Sequence, residues 1–530
     1  MHQVAMAYPT IDSLTPSIHL LNSSQAAKKI ASDTSRALCI RGQRTIPSSI
    51  IFDLPPIMKT ICSHLSNVDI WRYRAVSRTW CVLFEPYRWE YVKWHSLEGT
   101  RVKQLLIENA TRVQHLTISN SRKDAQQELR GFINLKSLHL VSRPPGEDVS
   151  TREEYMRSSW DLIRDNPGLW TLRLDFTRGI VAQLFCHCDH LDHLDLDEPL
   201  HQTSDSALAA LKRHPSLRSV TLTIAIDRVD VSASFLRHLP TATLQHLAIE
   251  VACSLSGDSI GKPTTTSAPI VNNSSVWPTF PLLRQLNFGA NLARAEDLIV
   301  FPLLQSCPNV IDLMLPKVKY EKTSSVIDAV IKHCPNLQIL DLRCLDIDES
   351  EILRLVEPYT QLRELYLGRF MNSRECVLTA VLDQCAKTLE VIDVPIKAGV
   401  MKMDEAATAL SRTLGRALAG CPRLRELKVH EDWLCEDNAI PISDLVHASW
   451  ASSQIEHLRA EFGQWDEALT VGEFVDIVAR LHGFLSAQSR LKCLYLKWTI
   501  PENWDRRKVK NALRAAGMDA ISLKWIGLKI

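Results

Sequence analysis

The densest set of chemistry-bearing side chains in the sequence is Cys186-His187-Cys188-Asp189-His190, with His193 just beyond. Thiolate, imidazole and carboxylate are the groups that hold zinc, yet structural zinc sites take paired ligands at standard spacings from two separated places in the chain. This run has no such second pair, and Leu191 and Leu194 inside it fall on a hydrophobic pattern described below. The reading is therefore that no metal is bound. The signatures G-x-x-x-x-G-K-[ST], G-x-G-x-x-G and H-E-x-x-H, which cradle phosphates, hold dinucleotides or bind catalytic zinc, do not occur. Serine, histidine and aspartate residues are scattered rather than grouped. The expectation is a chain that is no catalyst and needs no cofactor. Arg506-Arg507-Lys508-Val509-Lys510 is the one short basic run near the C-terminus, and its spacing reads as the outer face of a helix over Arg506–Ala515.

What would position side chains in this protein is a repeated apolar pattern. Leu-x-x-Leu-x-Leu or a close variant begins at Val113, Leu135, Leu169, Leu191, Leu217, Leu244, Leu283, Val310, Leu337, Leu362, Leu389, Leu424, Ile455, Leu491 and Met518. Most separations fall near the roughly 20 to 29 residues of a strand-plus-helix repeat. Positions 4 and 6 alternate with polar neighbours, as in Leu340-Asp341-Leu342, which is the period-2 mark of a short strand with one buried face. Helical spacing follows, with Leu208 and Leu211 in 207–213, and Val326, Val330 and Ile331 before Cys334. One strand and one helix cannot bury their own apolar faces, so neighbours must stack and share a continuous core.

Four helix exits carry proline, at His214-Pro215, Cys307-Pro308, Cys334-Pro335 and Cys421-Pro422. Proline stops the helix and extends the residue before it, and a small buried cysteine suits that corner. The placement resembles the cysteine-containing subclass of leucine-rich repeats over roughly 113–523. The resemblance implies an α/β solenoid with parallel strands on the concave side and helices outside.

The 530 residues exceed one compact domain, but a solenoid has no such limit. With 61 basic and 60 acidic residues the net charge is +1, which gives no bulk attraction to nucleic acid or membrane, and neither is expected as a partner. Fourteen cysteines with no secretory leader read as reduced thiols of the cytoplasm and/or nucleus, and the N-x-S patterns at Asn272 and Asn273 as unglycosylated. Residues 1–45 read as a disordered lead-in, residues 46–95 as a separate helical module, and residues 96–530 as the solenoid. Loop insertions are expected near 142–158 and 253–279.

In the second segment, Ile57, Ile61 and Leu65 share one helical face after Leu54-Pro55-Pro56, and Tyr73, Val76, Trp80 and Leu83 share another. Together with Asp69-Ile70, Val76-Ser77-Arg78-Thr79-Trp80 and Pro86-Tyr87-Arg88-Trp89, this order and spacing resembles the F-box, although Pro56 stands where that family usually has glutamate. The resemblance implies three helices that dock on a Skp-type adaptor, and through it on a cullin and a RING subunit. Carried over by position, the adaptor-facing residues are Leu54, Pro55, Ile57, Ile61, Leu65, Ile70, Val76 and Trp80. Some of these, Val76 and Trp80 above all, serve equally well as the module's own core.

If positions 4 and 6 point inward, positions 3, 5 and 7 line the concave wall. The client-binding candidates there are Arg173, Asp175, His193, Asp195, Asp197, Asp341, Arg343, Glu364, Tyr366, Lys428, Arg459, Tyr495 and Lys497, with Asp312, Met314, Ile339 and Glu426 on the same wall. The expected charge is acidic around Asp175–Asp197 and more basic towards Lys497. The functional expectation is a non-catalytic substrate-recognition subunit of a Skp-cullin-F-box ubiquitin ligase, the solenoid holding an unknown client. The alternative is a leucine-rich-repeat interaction scaffold not coupled to ubiquitination.

Overall fold

Buried leucines set the architecture. From Val113 to Val394, every residue at positions 1, 4 and 6 of a unit is at most 2% exposed. The computed structural model describes residues 89–95, 100–119, 131–141, 159–175, 187–196, 205–225, 229–252, 277–289, 296–345, 347–368, 374–396, 415–431, 454–464, 493–499 and 506–515, with a few isolated positions between them. The eight adaptor-facing candidates, residues 1–45, the insertion near 142–158, residues 253–276, Asp197 and the unit at Met518 lie outside the described residues. The chain divides into two units, Met1–Lys136 and Ser137–Ile530.

In the first unit, β1 (Tyr91–His95) leads through α1 (Thr100–Glu108) to β2 (His115–Ser119). β1 pairs with β2 in parallel, Tyr91 opposite His115 and Trp94 opposite Ile118. The sequence pattern begins the repeats at Val113, and the structure begins them one unit earlier. Trp89, Val92 and Trp94 are buried at positions 1, 4 and 6 of an earlier unit, with tryptophan in the places of leucine. The Glu90 carbonyl accepts from both Gln114 N–H and His115 N–H, at 3.2 and 2.8 Å.

The second unit begins with β3 (Ser137–Val141), β4 (Thr171–Leu174), β5 (His193–Leu196), α2 (Asp205–Lys212), β6 (Ser219–Ala225), α3 (Val229–Arg237), β7 (His246–Ala252) and β8 (Gln285–Phe288). It continues with α4 (Phe301–Ser306), β9 (Asp312–Met314), α5 (Tyr320–His333), β10 (Ile339–Asp341), α6 (Glu349–Val356), β11 (Glu364–Tyr366), α7 (Arg374–Cys385) and β12 (Val391–Ile396). β13 (Glu426–Glu431), β14 (His457–Gln464), β15 (Cys493–Thr499) and α8 (Arg506–Ala515) complete it. From β3 to β15 the strands follow one another in chain order, each beside its sequence neighbour, as a leucine-rich-repeat solenoid requires. α2, α5 and α8 fall where the apolar spacing places them.

Three local devices produce this order. At several corners a buried residue three before position 1 starts a tight turn, and its carbonyl accepts from the position-1 amide: Cys188 to Leu191, Cys307 to Val310, Cys421 to Leu424. Proline after Cys307, Cys334 and Cys421 ends the helix there. Next, the carbonyl at position 2 accepts from two successive amides of the following unit: Trp170 from Asp192 and His193, Ile311 from Gln338 and Ile339, Gln338 from Arg363 and Glu364, Arg425 from Glu456 and His457. Finally, the start of α6 is capped from the sequence. Asp348 precedes α6 and its carboxylate accepts from Glu351 N–H at 3.0 Å, with Glu349 and Glu351 in the first turn and Arg354 in the last, matching the helix dipole. Arg354 then reaches α5, 2.8 Å from Asp328 and 2.8 Å from Ser324 Oγ.

Candidate protein-binding face

The sheet has one face packed on its helices and one that is not. On the open face, parallel register converts repeated positions into rows across the strands. Position 3 runs Thr171, His193, Ser219, His246, Gln285, Asp312, Ile339, Glu364, Val391, Glu426, His457 and Cys493. Position 5 runs beside it, with Arg173 and Asp195 on β4 and β5 and with Met314, Asp341, Tyr366, Asp393 and Lys428 on β9 to β13.

At β4 and β5 the aspartates have partners within the protein. Arg173 Nε lies 3.4 Å from Asp195 Oδ2 and 3.7 Å from Asp175 Oδ1, while His139 Nε2 lies 3.4 Å from that same Asp175 oxygen. His193 Nε2 is 3.0 Å from Asp192, which also meets Arg218. The acidic patch that the sequence suggests near Asp175 therefore has Arg173 set inside it.

From β9 to β13 the rows form a checkerboard. Along position 3, Asp312, Ile339, Glu364, Val391 and Glu426 alternate acidic and aliphatic; along position 5, Met314, Asp341, Tyr366 and Asp393 alternate in the opposite phase. Five carboxylates share this patch with two cations. Arg343 grips Asp341, its Nε 3.1 and 3.0 Å from the two carboxylate oxygens and its terminal nitrogen 2.6 Å from Oδ2, and its guanidinium lies 5.0 Å from the Tyr366 ring centroid. Tyr366 donates its hydroxyl proton to Glu364 at 2.8 Å, and burial together with that carboxylate raises its phenol well above the ordinary value. Lys428 is in contact with Glu426. Asp312 makes no ion pair among the described residues. Its carboxyl is pushed up to about 6, by burial first and then by Glu364 and Asp341, with His246 opposing.

Sequence reasoning placed Asp341, Arg343, Glu364, Tyr366 and Lys428 on this face, and the structure brings them together. Asp341 is only 6% exposed and sits behind Arg343. Arg459, Tyr495 and Lys497 occupy β14 and β15 in the same rows, but their side chains lie outside the described residues. Val391 and Asp393 were not read as part of the face, although counting to positions 3 and 5 of the unit at Leu389 finds them.

The Cys186–His193 run is dispersed. Cys188 is wholly buried at a corner, where burial pushes its thiol up to about 12. Its carbonyl accepts from His214 Nε2–H at 2.8 Å, and burial lowers the pKa of that imidazole. His187 is exposed, edge-on to Trp160, and His193 is on the open face of the sheet. Among the described residues no group of three or more His, Cys, Asp and Glu is arranged to hold a metal, and no helix is long and apolar enough to cross a membrane.

No protein-family model matches the chain, and no curated protein sequence does. Among solved structures it is similar to an internalin from Listeria monocytogenes, at 13% identity and a TM-score of 0.31 over 77% of this chain and 86% of that one. It is also similar to a chain of the Toll–Spatzle complex of Drosophila, at 13% identity and a TM-score of 0.33, over 78% of this chain and 55% of that one. At such loose superposition the assignment stands on this chain's own geometry. Parallel strands in unbroken chain order over buried leucines at positions 1, 4 and 6 make the main fold a leucine-rich-repeat solenoid.

Proposed function

We propose that the chain is the substrate-recognition subunit of a Skp-cullin-F-box type ubiquitin ligase, with the open sheet face holding a client protein. The observation that carries the client-binding half is the in-register face itself: rows of polar and aromatic side chains held on a sheet whose other side is a continuous core. Such a surface is broad and pre-ordered, and a protein that binds it spends little entropy on rearrangement. The ligase half rests on the F-box resemblance of residues 46–95. Raising the local concentration of a client lysine beside a charged conjugating enzyme needs no active site in the receptor. The free, buried thiols at Cys188, Cys307, Cys334, Cys385 and Cys421 suit a reducing compartment, the cytoplasm or nucleus.

The test is co-purification from cells. The intact chain should recover a Skp-type adaptor and a cullin, and Leu54→Asp with Ile57→Asp should abolish that recovery while clients accumulate on the variant. Recovery of clients with no adaptor from the intact chain would instead establish the uncoupled scaffold.

A further inference from the structure

The checkerboard on β9 to β13 has a measurable period. Asp312 and Glu364 sit in one row on β9 and β11, with Ile339 of β10 between them. Neighbouring strands lie about 4.8 Å apart, so these carboxylates repeat at roughly 9.6 Å, and Glu426 on β13 continues the series one step further. Three of the five carboxylates already have partners within the chain or lie low in the face. Arg343 takes Asp341, Lys428 meets Glu426, and Asp393 is 4% exposed. Among the described residues, Glu364 accepts a neutral hydroxyl in the hydrogen bond from Tyr366 and Asp312 has no ion pair.

We propose that the partner crosses β9 to β13 as an extended segment with a lysine or arginine at every third residue, two successive cations seated at Asp312 and Glu364 and their aliphatic stems lying on Ile339 and Met314. The proposal rests on the reading of the open face as client-binding. A polyproline-II segment has three residues per turn and a rise of about 3.1 Å, so one edge of it recurs every ~9.3 Å, close to the spacing of the row. An ordinary β-strand presents the same face every ~6.7 Å and would fall out of step by the second tooth. Charge selects the same partner: a row of carboxylates attracts cations and repels nucleic acid and acidic peptides. The raised carboxyl of Asp312 agrees, since its neighbours Glu364 and Asp341 crowd it with like charge while only His246 on β7 opposes them.

Fluorescence anisotropy on the full-length chain tests this with three labelled twelve-residue probes, (Lys-Pro-Ser)4, an isomer with its four lysines contiguous, and (Glu-Pro-Ser)4. The first should bind at least about fivefold more tightly than the isomer. Asp312→Asn combined with Glu364→Gln should weaken it about tenfold, and Asp383→Asn on α7, away from the open face, should leave it unchanged. Affinity should also rise between about pH 5 and pH 7.5 as Asp312 ionises, and that rise should vanish in Asp312→Asn. Equal binding of the two lysine isomers, equal loss in Asp383→Asn, preference for the glutamate probe, or self-association of the chain that the double variant removes would each overturn the proposal. Met314→Arg separates the two levels. Where the probes fail but Met314→Arg still prevents cross-linking of clients identified by proximity labelling, this inference falls and the client-binding face stands; where clients are also unaffected, both fall.

Discussion

The strands β4–β5 and β9–β13 draw on the same residue types in the same repeat positions and arrive at opposite electrostatic states. On the first pair, one arginine lies between two aspartates and reaches both across the strand boundary. On the second stretch, Arg343 and Lys428 each sit beside a carboxylate of their own strand region, and among the described residues Asp312 and Glu364 have no ion pair. The lesson is that composition along a solenoid does not determine the charge of its surface. What decides it is which positions become neighbours across the register.

The contrast belongs to the open face alone, and the core beneath is alike in both places. Leu340→Ala under β10 and Leu194→Ala under β5 should each cost about 2–5 kcal/mol in denaturant unfolding, because both remove a wholly packed side chain. A large inequality between them would locate the difference in packing instead. Gly368→Ala should cost about 1–3 kcal/mol, since a Cβ there would meet the Leu342 carbonyl oxygen at 2.5 Å and the backbone of the two strands would have to part. Next in size, Arg343→Ala should cost about 1–3 kcal/mol by stranding the buried Asp341 carboxylate, whereas Arg173→Ala, beside better-solvated aspartates, should cost under about 1 kcal/mol. Equal costs would break the comparison.

The smallest effect is the most diagnostic. The carboxyl of Asp312 is raised in the folded chain from 3.8 to about 6, so the folded state holds the proton more tightly and stability falls as pH rises through that window. Asp312→Asn removes the loss. Its melting temperature should exceed that of the unsubstituted chain by about 1–2 °C near pH 7.5 and match it near pH 4.

The sequence makes the solenoid legible because each strand needs apolar groups at fixed, short spacing, and leucine at positions 1, 4 and 6 records that need directly. The Cys-Pro corners are legible for the same local reason. β1 was missed because Trp89 and Trp94 stand at leucine positions, where bulk and shape satisfy the core without matching the pattern. The open face was half legible. Counting to positions 3 and 5 finds Asp341, Glu364 and Tyr366, but the alternation of Asp312, Ile339 and Glu364 exists only once residues some 25 apart are brought into register. The pairing of Asp175 and Asp195 was hidden for a related reason: a tally along the chain does not see that Arg173 reaches both.

The paired amides that converge on each position-2 carbonyl have a consequence for how such a chain changes length. Because Arg284, Ile311, Gln338 and Arg363 all offer the next unit the same acceptor, the joints from β8 to β12 are one standard coupling. A single-residue insertion before position 3 would misalign one coupling and turn the following strand's leucines outward, whereas removal of a whole unit leaves two compatible ends facing each other. Length in this chain is therefore quantised, and loops that follow position 7 are where material is added without cost to the seams.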